Sequence, residues 1–382
     1  MNHRQSSGAY AAGLLLLLSG TVAAQQATAY QIDRAHSGTT TMALQLPLTQ
    51  RWRVQLPGSA SYPLIANGRV FVLSAGLKGG YGTQLFVLDG ASGNRLWVKG
   101  VAGTYFWAGH TIGDGRVYVV NFDGKLKAWD EATGALLWAK QLPGQYAFSA
   151  PPTFSNGVVY VGGAGSGGTL YAVDAATGKL NWTASPGSGD MSSPAVSDTA
   201  VYVSYACNNT YAFDAASGAS LWTHYGGCSG GGGKTAALSE GHFLLARDPI
   251  EGNLAFDPVT GAKRGTFKAG PIPAVKGSVT YAVSQGTLFA RDRSTGINLW
   301  KFALGSLTSA PIVVGNFVLV GDGSGKLYAR DIATGARLWS ANVGVPIPAP
   351  DEQNVSQPLT GLAAGEGLIV VPAGNVVTAF GN

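Results

Sequence analysis

Seven times along this chain one phrase returns: alternating apolar residues, an Asp, a Thr or Ser three positions on, a Gly, and a Trp four after the Gly. The copies are Asp89 to Trp97, Asp130 to Trp138, Asp174 to Trp182, Asp214 to Trp222, Asp292 to Trp300 and Asp331 to Trp339. A degenerate copy begins at Asp257 and carries Gly265 where Trp is expected. Successive Asp residues are 41, 44, 40, 43, 35 and 39 apart. A fixed period of this length means one supersecondary unit stacked on copies of itself, and it must be read before any local motif. Alternation makes a half-buried strand, Asp bonds the amides of the following turn, Gly takes positive φ, and Trp packs from the next strand. Upstream of each unit lies a second strand pair around a tight turn, as at Asn156-Gly157. Four strands in about 40 residues is the content of one propeller blade. The 56 glycines and only 12% charged residues suit closely spaced turns and exclude disorder or a solvated helical array.

The ends set the number of blades. Trp52 stands in an orphan final strand 45 residues before Trp97, while 367–371 and 375–380 are strands with no Trp strand after them. The reading is therefore an all-β, eight-bladed β-propeller of four-stranded antiparallel blades, closed by the N-terminal strand completing the last blade. Residues 51–382 form the propeller, and the Thr/Gln/Ala-rich 25–50 is expected to be a flexible lead-in. Because the Asp and Trp of the repeat, Trp52 included, recur around the ring from blade to blade, they are structural and mark no single site.

The repeat resembles the tryptophan-docking unit of the PQQ-like, or quinoprotein-type, propellers, a family that includes quinoprotein alcohol dehydrogenases and the outer-membrane assembly factors of BamB type. The resemblance runs from Trp52 to Phe380 and implies the fold; one fold hosts many functions.

Residues 1–24 read as a signal peptide: His3 and Arg4, then the apolar run Leu14–Leu18, then Val22-Ala23-Ala24 as the cleavage site. Export to the periplasm or beyond is expected, without a lipid-attachment Cys near that site and without a later apolar stretch long enough to span a membrane. The formal charge of +5 is diffuse, with no three consecutive Lys/Arg, which argues against nucleic acid. In an oxidising compartment Cys207 and Cys228 are most simply a disulfide, and both fall on the face that carries the turns between second and third strands and the interblade loops.

That face also holds the candidate partner-binding residues: Tyr105, Phe106, Trp107, Tyr146, Phe148, Met191 and Lys234 at the starts of inner strands, and Asp351, Glu352 and Asn354 in the longest interblade loop. The alternatives are that the aromatics merely cover blade tops and the loop covers the ring closure. Catalytic patterns fail on context. Gly227-Cys-Ser229-Gly-Gly231 has no helix after it, Gly233-Lys234-Thr235 lacks the earlier Gly of a phosphate loop, and His36, His110, His224 and His242 show no ligand spacing.

Two functions compete. One is a non-catalytic scaffold, a monomeric ring that binds envelope or outer-membrane proteins in the manner of BamB, with no cofactor. The other is a quinoprotein oxidoreductase, which the resemblance would equip with pyrroloquinoline quinone and calcium in the central funnel. The short chain and the non-adjacent cysteines speak against the second. A secreted surface or polysaccharide-binding role is a third reading.

Overall fold

The computed structural model describes Met1 and residues 25–382 except 78–79, 145–146, 164–167, 188–191, 206, 208, 228–232 and 249–251. Eight antiparallel sheets are arranged as blades, each contributing its first strand to the centre and its last to the rim. Blade 1 runs through Leu64–Ala66, Arg69–Leu77, Gly80–Asp89 and Arg95–Val101. Blade 8 takes Ala363–Gly365, Leu368–Ala373 and Val376–Gly381 from the C-terminus and its rim strand, Thr49–Gln55, from the N-terminal side. The closing pairs run from Thr49 opposite Gly381 to Gln55 opposite Val376, with Trp52 opposite Ala379.

One register repeats around the ring. The Trp of the rim strand faces the small residue two before the repeat Asp: Val87 with Trp97, Ala128 with Trp138, Ala172 with Trp182, Ala212 with Trp222, Ala290 with Trp300 and Ala329 with Trp339. In blade 5 the partner of Ala255 is Gly265. The Asp closes the turn that makes this register possible. Asp130 Oδ1 accepts from the Thr133 amide at 2.8 Å and from its hydroxyl at 2.7 Å, and Gly134 follows at φ 67°. The indole then leaves its own blade. Trp138 Nε1 donates to Ala175 O of blade 3 at 3.1 Å, and its ring lies where a Cβ on Gly178 would come within 2.8 Å. The Thr-Gly glycine is thus required twice, once for its φ of 71° and once for the neighbour's ring.

Residues 25–50 correct the expectation of a flexible lead-in. Gln25 to Met42 makes one circuit of the ring against its innermost strands. Gln25 O accepts from Glu366 N of blade 8, Ala27 exchanges both bonds with Ile65 of blade 1, and Thr28 O accepts from Ile112 N of blade 2. Arg34 donates to Ser155 Oγ of blade 3 at 3.0 Å. The carbonyls of Arg34, Ala35, Ser37 and Gly38 then accept from Val196, Leu238, Val275 and Val313, in blades 4 to 7. Thr39–Thr40 forms a parallel fifth strand on blade 7, and the Met42 sulfur meets Gly367 N back at blade 8. The innermost strand of each blade is an open edge, and an unpaired buried amide is costly. This polar-looking segment satisfies those edges, which is why it is ordered.

Candidate functional site

The circuit does more than line the channel. At Ala29–Ile32 it folds into a tight turn that buries Tyr30, Gln31 and Ile32. Tyr30 packs on Tyr62, with centroids 5.2 Å apart, and Tyr62 stacks on His110 at 4.6 Å. Tyr62 ties the stack down, since its hydroxyl donates to His110 O at 2.6 Å and accepts from His110 N at 2.8 Å. His36 is wholly buried between the carbonyls of Tyr30 and Pro194, 2.7 and 3.0 Å from its ring nitrogens. Burial pushes the His36 imidazole down to about 4 and that of His110 to about 3, so both rings are neutral at physiological pH. Burial, reinforced by Glu352, holds the Tyr30 phenol well above its usual range.

Glu352 reaches this centre from the opposite face. Its carboxylate pairs with Arg247 of blade 5 and accepts from the Thr235 amide at 2.6 Å, and both side chains are almost fully buried. The Arg247 guanidinium spends its other donors on Thr235 O at 3.1 and 3.3 Å and on Gly270 O at 3.0 Å. The interblade loop that carries Glu352 crosses the channel mouth. It is fixed by Thr308 Oγ1 donating to Ile347 O at 2.6 Å, by Val355 on the core of blades 2 and 3, and by Tyr62 N donating to Leu359 O at 2.7 Å.

The sequence-selected residues therefore divide. Glu352 is an internal ionic anchor, not part of the loop's outer surface, while Asp351 is exposed and Asn354 half-buried. Lys234 sits half-buried at the same mouth; burial, then Arg247, lowers its ammonium pKa, against the pull of Glu352, Asp351 and Asp248. Trp107 and Phe148 are buried in the core of blades 2 and 3 and cover blade tops. Tyr146, Met191 and Cys228 lie outside the described residues. Cys207 is buried in left-handed backbone, φ 65°, and no described cysteine is free.

Tyr105 and Phe106 remain at the surface and gain partners that sequence reading missed. Phe106 meets Tyr81, 61% exposed, at 4.9 Å, and Tyr105, 42% exposed, meets Phe122 at 4.4 Å. The loop beneath them is fixed by Gly82 N donating to Tyr105 O at 2.9 Å, Thr104 N to Asp123 at 3.0 Å, and Asn121 to Ala102 O at 2.5 Å. These two aromatic pairs on blades 1 and 2 present Tyr81 and Tyr105 to solvent over half-buried Phe106 and Phe122, a combination that suits protein recognition. Tyr81 opens the third strand of blade 1 and Phe122 sits in the turn between the second and third strands of blade 2, in a sequence rich in Tyr and Phe, so only the fold singles them out.

No group of three or more His, Cys, Asp or Glu able to hold a metal occurs among the described residues, and none of their helices is long and apolar enough to cross a membrane.

Comparisons with known proteins agree on the architecture. A family model described as outer membrane protein assembly factor BamB matches residues 83–224, 123–265 and 250–381. BamB of Moranella endobia is 27% identical over 235 residues, 55% of this chain and 61% of that protein. The dehydrogenase subunit of the quinone alcohol dehydrogenase of Gluconobacter oxydans is 32% identical over 149 residues, 33% of this chain and 19% of that protein. The chain thus spans less than two thirds of either relative. The crystal structure of BamB from Moraxella catarrhalis superposes with a TM-score of 0.66 at 22% identity, covering 88% of this chain and all of that one. Quinohemoprotein alcohol dehydrogenase from Comamonas testosteroni gives 0.69 at 16%, covering 94% of this chain and 80% of that one. With its repeat, its closure and a family model matched over most of its length, the chain belongs to the BamB family of PQQ-like β-propellers.

Proposed function

We propose that this protein is a non-catalytic propeller scaffold of the cell envelope that binds protein partners. One observation carries the reading: the ring is occupied by its own chain, with Gln25–Met42 on the innermost strands and Glu352 paired to Arg247 from the other side. Pyrroloquinoline quinone with calcium would need a vacant funnel and acidic ligands. Here the buried aromatics Tyr30, Tyr62 and His110 fill the centre, and Glu352, the carboxylate at the mouth, is already neutralised by Arg247. These residues do not fit that group, and no step is derived through it.

Partner binding is assigned to the aromatic residues Tyr81, Tyr105, Phe106 and Phe122 of blades 1 and 2. The names of the BamB relatives support an outer-membrane assembly partner, and the 1–24 leader supports export, with Cys207 and Cys228 bridged after it.

The test has two arms. Titration of the purified protein with pyrroloquinoline quinone and calcium, followed by tryptophan fluorescence and dye-linked alcohol oxidation, should show neither saturation nor turnover; saturable binding with turnover would replace the scaffold with an oxidoreductase. Crosslinking in the envelope should yield an outer-membrane assembly protein that is lost in Tyr81→Ser/Tyr105→Ser. Retention of the same crosslink in that variant would remove these aromatics from the account.

A further inference from the structure

Seven of the eight blade junctions carry a tryptophan in the equivalent place: Trp52, Trp97, Trp138, Trp182, Trp222, Trp300 and Trp339. The eighth, between blades 5 and 6, has Gly265 in that register. The consequence is visible on blade 6. A Cβ on Gly93, Gly134, Gly178, Gly218, Gly261 or Gly335 would meet the preceding blade's indole within 2.8 Å, whereas one on Gly296 would meet nothing nearer than the Arg291 guanidinium at 3.6 Å.

The space has not collapsed. A cleft of about 590 Å³ remains, within the range of small-ligand sites, lined by Phe267 and Lys268 of blade 5 and by Thr280, Phe289, Arg291 and Arg293 of blade 6. Strand register puts Thr280 opposite Arg291 and Ala282 opposite Phe289, so these four share the blade face turned to blade 5. Phe267, two residues after Gly265, lies on the same face of its own strand as the missing indole would. The Arg293 guanidinium sits 5.5 Å over Phe267 and 5.8 Å over Phe243, with only long contacts of 3.4 and 3.5 Å to Thr266 O. Among the described residues no acidic side chain lines the cleft, where three cations and two aromatic rings gather. Thr280, which lines it, is 4% exposed, and its hydroxyl has no hydrogen-bond partner among the described residues. A buried hydroxyl without a partner is unfavourable unless something accepts from it.

We propose that the junction of blades 5 and 6 is a binding cleft for an aromatic carboxylate. The ring takes the space that a tryptophan fills at the other junctions, between Phe267 and Phe289. The carboxylate is met by Arg291 and Arg293 and accepts from Thr280 Oγ1. The same chemistry is offered by a free aromatic acid and by an aromatic side chain followed by Asp or Glu in a peptide. The cleft lies on the flank of the ring, away from the aromatic pairs of blades 1 and 2, and does not depend on the scaffold reading.

The full-length protein is titrated by calorimetry and by ligand-observed NMR with indole-3-acetate, with a capped Gly-Trp-Asp-Gly peptide, and with indole and tryptamine as neutral and cationic counterparts. Saturable binding of either anion supports the proposal, and the tighter of the two identifies the source. Indole and tryptamine should bind about tenfold or more weaker, since a charge-assisted pair is lost. Arg291→Glu, an exposed position, should weaken the anion by a similar factor. Thr280→Val should weaken it severalfold without lowering the melting temperature, which separates a ligand contact from a folding defect. Equal affinity for tryptamine, unchanged binding in both variants, or no saturation by either anion at millimolar concentration would overturn the assignment.

Discussion

His36 and Glu352 show how single side chains hold the centre of the ring. A histidine whose folded pKa lies below its unfolded value stabilises the fold only while both states are neutral. Its contribution is intact above about pH 6.5 and is lost as pH falls toward 4, because only the unfolded chain takes up the proton in that window. The displacement corresponds to about 3 kcal/mol at 1.36 kcal/mol for each pH unit. Denaturant melts from pH 7 to 4 should therefore show His36→Gln flatter than the parent; parallel slopes would contradict the neutral buried ring. Glu352→Ala leaves Arg247 buried and unpaired and should cost about 3–5 kcal/mol. Asp351→Lys, one residue away and exposed, should leave the unfolding midpoint unchanged.

At the scale of elements, the repeat joins blades through a turn and an indole. Gly178→Ala forces a side chain into left-handed backbone and against the Trp138 ring, so a loss of about 1–3 kcal/mol in chemical denaturation is expected from the backbone alone. Gly115→Ala, also at positive φ but with open space around it, should lose less; equal losses would mean that the ring contact contributes nothing. These elements were legible in the sequence because period, turn chemistry and Trp spacing all point one way. The circuit of Gln25–Met42 was not. Its bonds run from backbone to the inner edges of seven blades and through the Arg34 side chain to blade 3, and no side-chain pattern announces backbone pairing at such sequence separations. Deleting it should leave open strand edges and a chain that self-associates, read by light scattering.

Across the whole molecule, the N-terminal strand closes the ring where Trp52 donates to Gly90 O at 2.7 Å and covers Gly93. Trp52→Ala should cost about 3–5 kcal/mol and loosen blade 8 first. The closure was readable because an orphan Trp strand at one end matched a missing one at the other. The candidate site was only half readable: Tyr105 and Phe106 stand out as aromatics, but Tyr81 joins them only through folding, and Trp107 looks identical in sequence yet is core. Glu352 carried an acidic-loop signature, but its burial depends on Arg247, 105 residues away.

The central claim is that the ring is sealed by its own chain, and amide hydrogen exchange over residues 25–42 tests it most directly. The account predicts protection of this segment comparable to that of the innermost strands such as Ile312–Val314, lost together with them on global unfolding. Exchange of residues 25–42 at the rate of an unstructured peptide, with the blades still protected, would mean an open channel and would contradict the account.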